Sequence, residues 1–265
     1  MPTREVAAQF DRISLVYDET RDPLDASTLD ALAGELRRAG ASSLLEVGVG
    51  TGRVAKPLSD RGVVVTGLDA SRGMLAKARA KGLARLVRGS GYRLPFRDGA
   101  FDGALFVHVL HVLDDPVTAV REAARVSRVG AYALVHPRGE GAGVAARRED
   151  EPRRLLAEAL REQGYATEPR ASPWIKERDF LAVHPPDSLR VIGERDVTES
   201  LRARVDRLAT RGHRNLLDVP PEVLARAVEV ARERVGDRAV TYHRVEALAG
   251  WSPGSGSVAP ATGST

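Results

Sequence analysis

Between residues 40 and 137 the chain switches repeatedly between two spacings of apolar positions. Short contiguous or β-branched apolar runs over 43–47, 63–68, 84–88, 103–108 and 131–135 predict strands. Between them, apolar residues recur at helical spacing. Helices are expected over 52–61, over 71–81 with Met74, Leu75 and Ala78 on one face, and over 116–127. Pro57 suits the first of these because it falls in the opening turns. Strands that alternate with helices of about ten residues form a parallel sheet covered on both faces. The predicted fold is therefore α/β and doubly wound. Sheets of this kind bind ligands at the carboxyl ends of their strands.

The flanks read differently. Residues 1–23 suggest a partly helical arm, and 27–39 a helix carrying Leu29, Leu32 and Leu36, capped by Ser27 or Thr28 and stopped at Gly40. Beyond Pro137, residues 138–148 are rich in Gly and Arg and look like a loop. A helix follows over 151–163, strands are expected at 189–193 and 239–246, and two helices at 198–210 and 221–235. Apolar stripes at 201, 205, 208 and at 224, 228, 231 mark packed faces. The expected division is an N-terminal helical arm (1–40), a Rossmann-like core (41–137), a helical insertion with the last strands (138–250) and a disordered Ser/Gly/Pro/Thr-rich tail (251–265).

Composition narrows the function. The 265 residues are 43% hydrophobic and 29% charged, which is an ordinary globular balance. The absence of cysteine excludes disulfides, thiolate metal sites and cysteine nucleophiles. No stretch has the length of a membrane span, and residues 1–10 lack the apolar segment of a secretory leader, so the cytoplasm is the expected compartment. A pI of about 9.7 invites a nucleic-acid reading. The net charge is only +4, however, and acids interrupt the basic runs, as in Arg147-Arg148-Glu149-Asp150. Such mixed runs are solvated helix faces, whereas nucleic acid needs a clustered stripe.

The densest chemistry lies in Glu46-Val47-Gly48-Val49-Gly50-Thr51-Gly52, between a predicted strand and a predicted helix. Glycines let a backbone turn tightly and approach a ligand where a Cβ would collide. A helix starting after Gly52 would add free N–H groups and a positive dipole end. The spacing is G-x-G-x-G, led by an acid. It is neither the G-x-G-x-x-G of dinucleotide enzymes nor a P-loop. Asp69 ends the second predicted strand, where an acid can accept hydrogen bonds from both hydroxyls of a ribose.

With 44–52 and 63–69, the segment Gly89-Ser90-Gly91-Tyr92-Arg93-Leu94-Pro95-Phe96 through Asp102 resembles the first motifs of class I S-adenosylmethionine-dependent methyltransferases. The similarity is to the branch that acts on small molecules, typified by quinone-biosynthesis methyltransferases (methyltransferase type 11). It covers about residues 40–137. The resemblance implies a seven-stranded sheet, mostly parallel with one antiparallel strand, and S-adenosyl-L-methionine as cofactor. It implies that Glu46 holds the methionine amino group, that Gly48, Gly50 and Gly52 pass under the methionine and ribose, and that Asp69 holds the ribose. Ala70 or Met74 would touch the adenine. Tyr17 lies in a stretch, 10–18, similar to the arm that closes over the cofactor. Ser90, Gly91 and Tyr92 stand where the family reads the adenine amino group, and Val107 completes the expected contacts. The family usually has Asp at position 90. Serine can accept the same hydrogen bond but carries no charge.

Methyl transfer asks the protein to align donor and acceptor and, for some acceptors, to remove a proton. His108, at the end of the fourth predicted strand, and His111 just beyond it are the candidate bases, with His136 a third. No metal is expected, since Asp114-Asp115 before Pro116 reads as a helix cap. The region 138–235 would form a lid over a small-molecule acceptor, with Trp174, Ile175 and Phe180 as candidate pocket walls. Alternatives are an RNA or protein methyltransferase, a non-catalytic protein that binds the cofactor, and a nicotinamide oxidoreductase. The glycine spacing and the lack of a Tyr-x-x-x-Lys pair count against the last. The sequence does not indicate an oligomeric state.

Overall fold

In a computed structural model of the chain, residues 4–21, 24–136, 143–165, 177–210, 216 and 218–253 are described. Seven strands form one sheet: β1 (Ser43–Val47), β2 (Val64–Asp69), β3 (Leu86–Arg88), β4 (Phe101–Val107), β5 (Ser127–Val135), β6 (Ser188–Ser200) and β7 (Ala239–Trp251). Their order is β3-β2-β1-β4-β5-β7-β6. All neighbours are parallel except around β7, which runs antiparallel to both β5 and β6. The Rossmann-like sheet with one reversed strand is therefore present. β1 pairs with β2 on one side and β4 on the other, so the chain order reverses beside it. This is the switch point at which ligands bind such sheets.

The strands build two cores because successive side chains face opposite ways. From β1, Leu44 joins α2 (Ala26–Arg38), with Leu29, Leu32 and Leu36, and α3 (Ala55–Asp60), with Leu58. Its neighbour Leu45 joins the other face, where Phe106 and Ala133 meet Ala119, Val120 and Ala123 of α5 (Pro116–Arg125).

Several boundaries depart from expectation. Asp25 caps α2 by accepting from the Thr28 N–H at 2.8 Å, in place of Ser27 or Thr28. Helix α3 starts only at Ala55, so no helix dipole opens directly after Gly52. In place of a loop reaching 148, α6 (Gly143–Glu162) begins at 143 and carries Pro152 inside it. The final strand extends to Trp251, the first residue of the expected tail. Its side chain is 2% exposed and packs on Phe180, at 5.8 Å between ring centroids. Phe180, in α7 (Glu177–Val183), is thus a core residue and not a pocket wall. Trp174, Ile175 and residues from 254 onward lie outside the described residues.

β6 and β7 are also far longer than the sequence suggested, and the reason is long-range. Only 247–251 of β7 pair with β5. Residues 239–246 pair with 193–200 of β6 alone, as a two-stranded ribbon running past the carboxyl end of β5. The alternating burial of a ribbon is too weak to read as a strand from one sequence. Its tip carries α6, α8 (Leu201–Ala209) and α9 (Pro221–Val235), which share a separate core with Val240. The stripes Leu201/Val205 and Leu224/Val228/Ala231 are buried in this cap. No helix among the described residues is long and apolar enough to cross a membrane.

Trp251 tests the extended last strand. Trp251→Ala should lower unfolding stability by about 3–5 kcal/mol, the cost of truncating a buried aromatic. Denaturant unfolding checks this, and a loss under about 1 kcal/mol would place Trp251 outside the core.

Candidate active site

At the switch point, the turn after β1 is shaped by three glycines in left-handed backbone: Gly48 (φ 76°), Gly50 (φ 56°) and Gly52 (φ 77°). A Cβ at Gly48 would lie 2.6 Å from Val109 Cγ2, and one at Gly52 2.5 Å from Leu83 Cδ1. Side chains are thus excluded by conformation and by space. The turn is fastened to β2. The N–H groups of Gly48 and Val49 both donate to the Leu68 carbonyl, at 2.7 and 3.0 Å. Gly50 N–H donates to Asp69 Oδ2 at 2.9 Å, and Ser71 N–H donates to Asp69 Oδ1 at 2.8 Å. Burial pushes the Asp69 carboxyl above its ordinary pKa, against the pull of these N–H groups.

Above the turn lies a cleft. It brings together Tyr17, Gly48, Gly50, Asp69, Ala70, Met74, Gly91, Val107 and His108 from the expected set. Glu46 lies just beneath the turn, 2% exposed. The structure does not bring Glu46, Gly52, Ser90, Tyr92 or His111 to the cleft. Gly52 closes the turn against Ala78 and Leu83. Ser90 forms a bridge with Arg93 and its Oγ accepts from the Tyr92 N–H at 3.3 Å. Tyr92 instead ties down the loop before α5, its hydroxyl accepting from the Asp114 N–H at 2.8 Å. His111 is exposed on a short 3₁₀ turn. Sequence reasoning missed Ser71, Gly89, Val109, Val112 and Leu113 as lining residues. Nothing local marks them, because they arrive from separate loops.

The arm, α1 (Arg4–Ile13) and the turn after it, covers the cleft with Phe10 and Tyr17. Two carboxylates hold it down. Asp11 accepts from Ser71 Oγ at 2.6 Å and from the Gly73 N–H at 2.8 Å. Asp18 accepts from Thr51 Oγ at 2.5 Å and pairs with Lys81 Nζ at 2.6 Å. Burial opposes ionisation of both, and the hydrogen bonds outweigh it, so both pKa values are lowered.

Two groups carry unusual protonation. Glu46 is pushed up to about 8, first by burial and then by repulsion from Asp69. Its Oε2 is buried with no hydrogen-bond partner. A lone buried acceptor beside a second acid is costly unless a cation reaches it. His108 is pushed down to about 3, first by burial and then by His136, His111, Arg53 and Arg244. It is the one described non-glycine residue with positive φ, 50°, the kind of backbone strain that gathers at functional sites. Its ring stacks on His136. Among the described residues no three His, Asp or Glu gather as metal ligands.

Residues 45–135 match a family described as "Methyltransferase domain". A demethylmenaquinone methyltransferase of Beutenbergia cavernae is 37% identical over 141 residues, covering 49% of this chain and 57% of that protein. One from Corynebacterium kroppenstedtii is 35% identical over 131 residues, covering 48% and 57%. The chain thus spans little more than half the length of these relatives. Among solved structures, a SAM-dependent methyltransferase of Thermotoga maritima, a possible histamine N-methyltransferase, superposes with a TM-score of 0.52 at 19% identity. That match covers 92% of this chain and 98% of that one, and it supports the fold.

The Glu46 carboxyl gives a test that needs no ligand. Its folded pKa of about 8 lies above the ordinary 4.5. The stability it permits is complete below pH 4.5 and is lost as pH rises through 8. Glu46→Gln should therefore melt higher than wild type at pH 8, with the gap closing towards pH 5. A gap that does not vary with pH would mean that Glu46 ionises normally.

Proposed function

We propose, from the match of residues 45–135 to a methyltransferase-domain family, that the protein is a class I methyltransferase that binds S-adenosyl-L-methionine and methylates a small-molecule acceptor. The observation that carries this reading is the orphaned, buried Glu46 Oε2 beneath a turn that Asp69 clasps. A zwitterionic amino acid joined to a nucleoside fits that donor set. Its ammonium would meet Glu46, its ribose hydroxyls would meet Asp69, and its base would lie between Ala70, Met74 and Gly91. Gly48 leaves room for the chain between them.

When bound, the cofactor supplies a methyl carbon activated by a sulfonium. The protein has three tasks of its own. The glycine turn and Asp69 set the orientation, the arm with Phe10 and Tyr17 excludes water, and the end of β4 borders the acceptor. The division into arm, core and cap would serve this arrangement, with the helices α6, α8 and α9 towards the acceptor end. The cleft is lined largely by apolar side chains, including Val6, Phe10, Val109, Val112 and Leu113, and this favours an apolar acceptor. The proposed compartment is the cytoplasm.

Calorimetric titration with S-adenosylmethionine and S-adenosylhomocysteine, with NAD as control, tests the reading. Both sulfur nucleosides should bind and NAD should not. Asp69→Ala should weaken binding by at least about tenfold, since it removes hydrogen bonds to a charged acceptor. At pH 7, binding should release protons as Glu46 ionises against the ammonium, and Glu46→Gln should abolish that release. Binding of NAD alone, or no binding of either nucleoside, would end the methyltransferase reading.

A further inference from the structure

The near balance of charge along the chain conceals one exception. Residues 70–97 hold eight of the 40 Lys and Arg residues and none of the 36 Asp and Glu residues, so the remainder is net negative although the whole is +4. The fold gathers this segment at one edge of the molecule, as α4 (Arg72–Ala80), the edge strand β3 and the turn that follows β3. Arg72 and Arg79 stand two turns apart on the exposed face of α4, and Lys77 is half-buried on the same helix. Arg85, Arg93 and Arg97 continue the exposed surface around β3. None of these six forms an ion pair with a described residue. The acids that approach the surface are engaged elsewhere. Asp18 takes Lys81, Asp11 accepts from Ser71 and the Gly73 N–H, and Asp98 and Glu122 both pair with Arg125.

We propose that this α4–β3 face docks duplex DNA through its phosphates, without reading sequence. Guanidinium forks match phosphate oxygens two at a time, and a basic stripe clustered on one face is the footprint of a phosphate backbone. Three features favour duplex DNA over other polyanions. None of the large exposed apolar side chains lies in 70–97, so the face has nothing to insert among lipid chains. Its two aromatic rings are occupied, Tyr92 through its hydroxyl at the Asp114 N–H and Phe96 against the edge of Phe101. It therefore offers no platform on which the bases of a single strand could stack. Arg72 and Arg79 are about 10.5 Å apart along the helix axis, close to the ~12 Å major groove of B-form DNA and unlike the narrow groove of A-form RNA. β3 lies at the opposite edge of the sheet from β6 and three strands from β4. A duplex held here is thus a docking partner and not the methyl acceptor, and the surface is independent of the methyl-transfer reading.

Fluorescence anisotropy of a short labelled DNA duplex, titrated with the full chain over a range of salt concentrations, tests the proposal. Affinity should fall as salt rises, with a slope of log K against log salt of about −3 to −5, from counterions released at roughly three to six phosphates. A second duplex of unrelated sequence should bind within about twofold, since phosphate contacts carry no sequence information. The triple variant Arg72→Gln, Arg79→Gln, Arg85→Gln should weaken binding at low salt by at least about tenfold and flatten the slope by about 2–3. All three side chains are exposed, and thermal unfolding checks that the variant stays folded. Arg153→Gln with Arg161→Gln, exposed on α6 and likewise without an ion pair to a described residue, should change affinity by less than about twofold. Absence of binding at low salt overturns the proposal, and so does an equal loss in the two variants, which would mean bulk charge alone. An RNA duplex that binds more tightly than DNA, or phosphatidylglycerol vesicles that capture the chain where DNA does not, overturns it as well.

Discussion

The site depends on the clasp between the end of β1 and the end of β2. Two N–H groups of the glycine turn converge on the Leu68 carbonyl, and a third reaches the Asp69 carboxylate. These bonds are possible because Gly48 and Gly50 hold left-handed backbone that a side chain would strain. The clasp places an acid and an open turn side by side at the one point of the sheet where helices leave in opposite directions. The rest of the cleft is built outward from it. Ser71 links Asp69 to α4 (Arg72–Ala80), and Asp11 links that helix to the arm. Thr51, inside the turn, receives the arm's other carboxylate through Asp18.

The two acids at the centre are under different pressures. Asp69 has backbone donors and can remain an acceptor for a ligand. Glu46 has no donor at Oε2, and it is this atom that makes the site incomplete. A buried carboxyl with an unmet hydrogen bond is destabilising in the free protein, and a cationic group on a ligand would relieve it. The strain of His108 has the same logic. Its left-handed backbone costs on the order of 1–3 kcal/mol, and it turns the ring into the cleft and onto His136. Stability is spent where the ligand will sit.

What the sequence revealed follows from how local each feature is. β1 and α9 were legible to the residue, since contiguous apolar runs and helical stripes are set by near neighbours. The glycine turn and Asp69 were legible for the same reason: motif and strand end lie in one short segment. Ser90 and Tyr92 were read from the family's pattern, and the turn they form takes both away from the cleft. Asp11, the stacking of His136 and the burial of Trp251 arise from contacts across dozens of residues. No spacing in the chain announces them. Pro152 inside α6 shows the converse, a local breaker carried within a helix whose following turns are packed into the cap core.

The ribbon is held differently along its length. Its root, 247–251, is part of the main sheet and is held by β5. Its outer half is held only by its own pairing and by the cap. At the junction, Glu246 is fully buried opposite Gly193, where a Cβ would lie 3.1 Å from Glu246 Oε2. Arg195 and Arg244, facing each other across the ribbon, both approach that carboxylate. Two like charges in register repel, and Glu246 together with Asp25, which pairs with Arg195, offsets that repulsion where the register of β6 shifts between Val191 and Gly193. Among the described residues none of α6, α8 or α9 lines the cleft, so substitutions in their shared core leave the contacts of the clasp at Gly48, Gly50 and Asp69 in place.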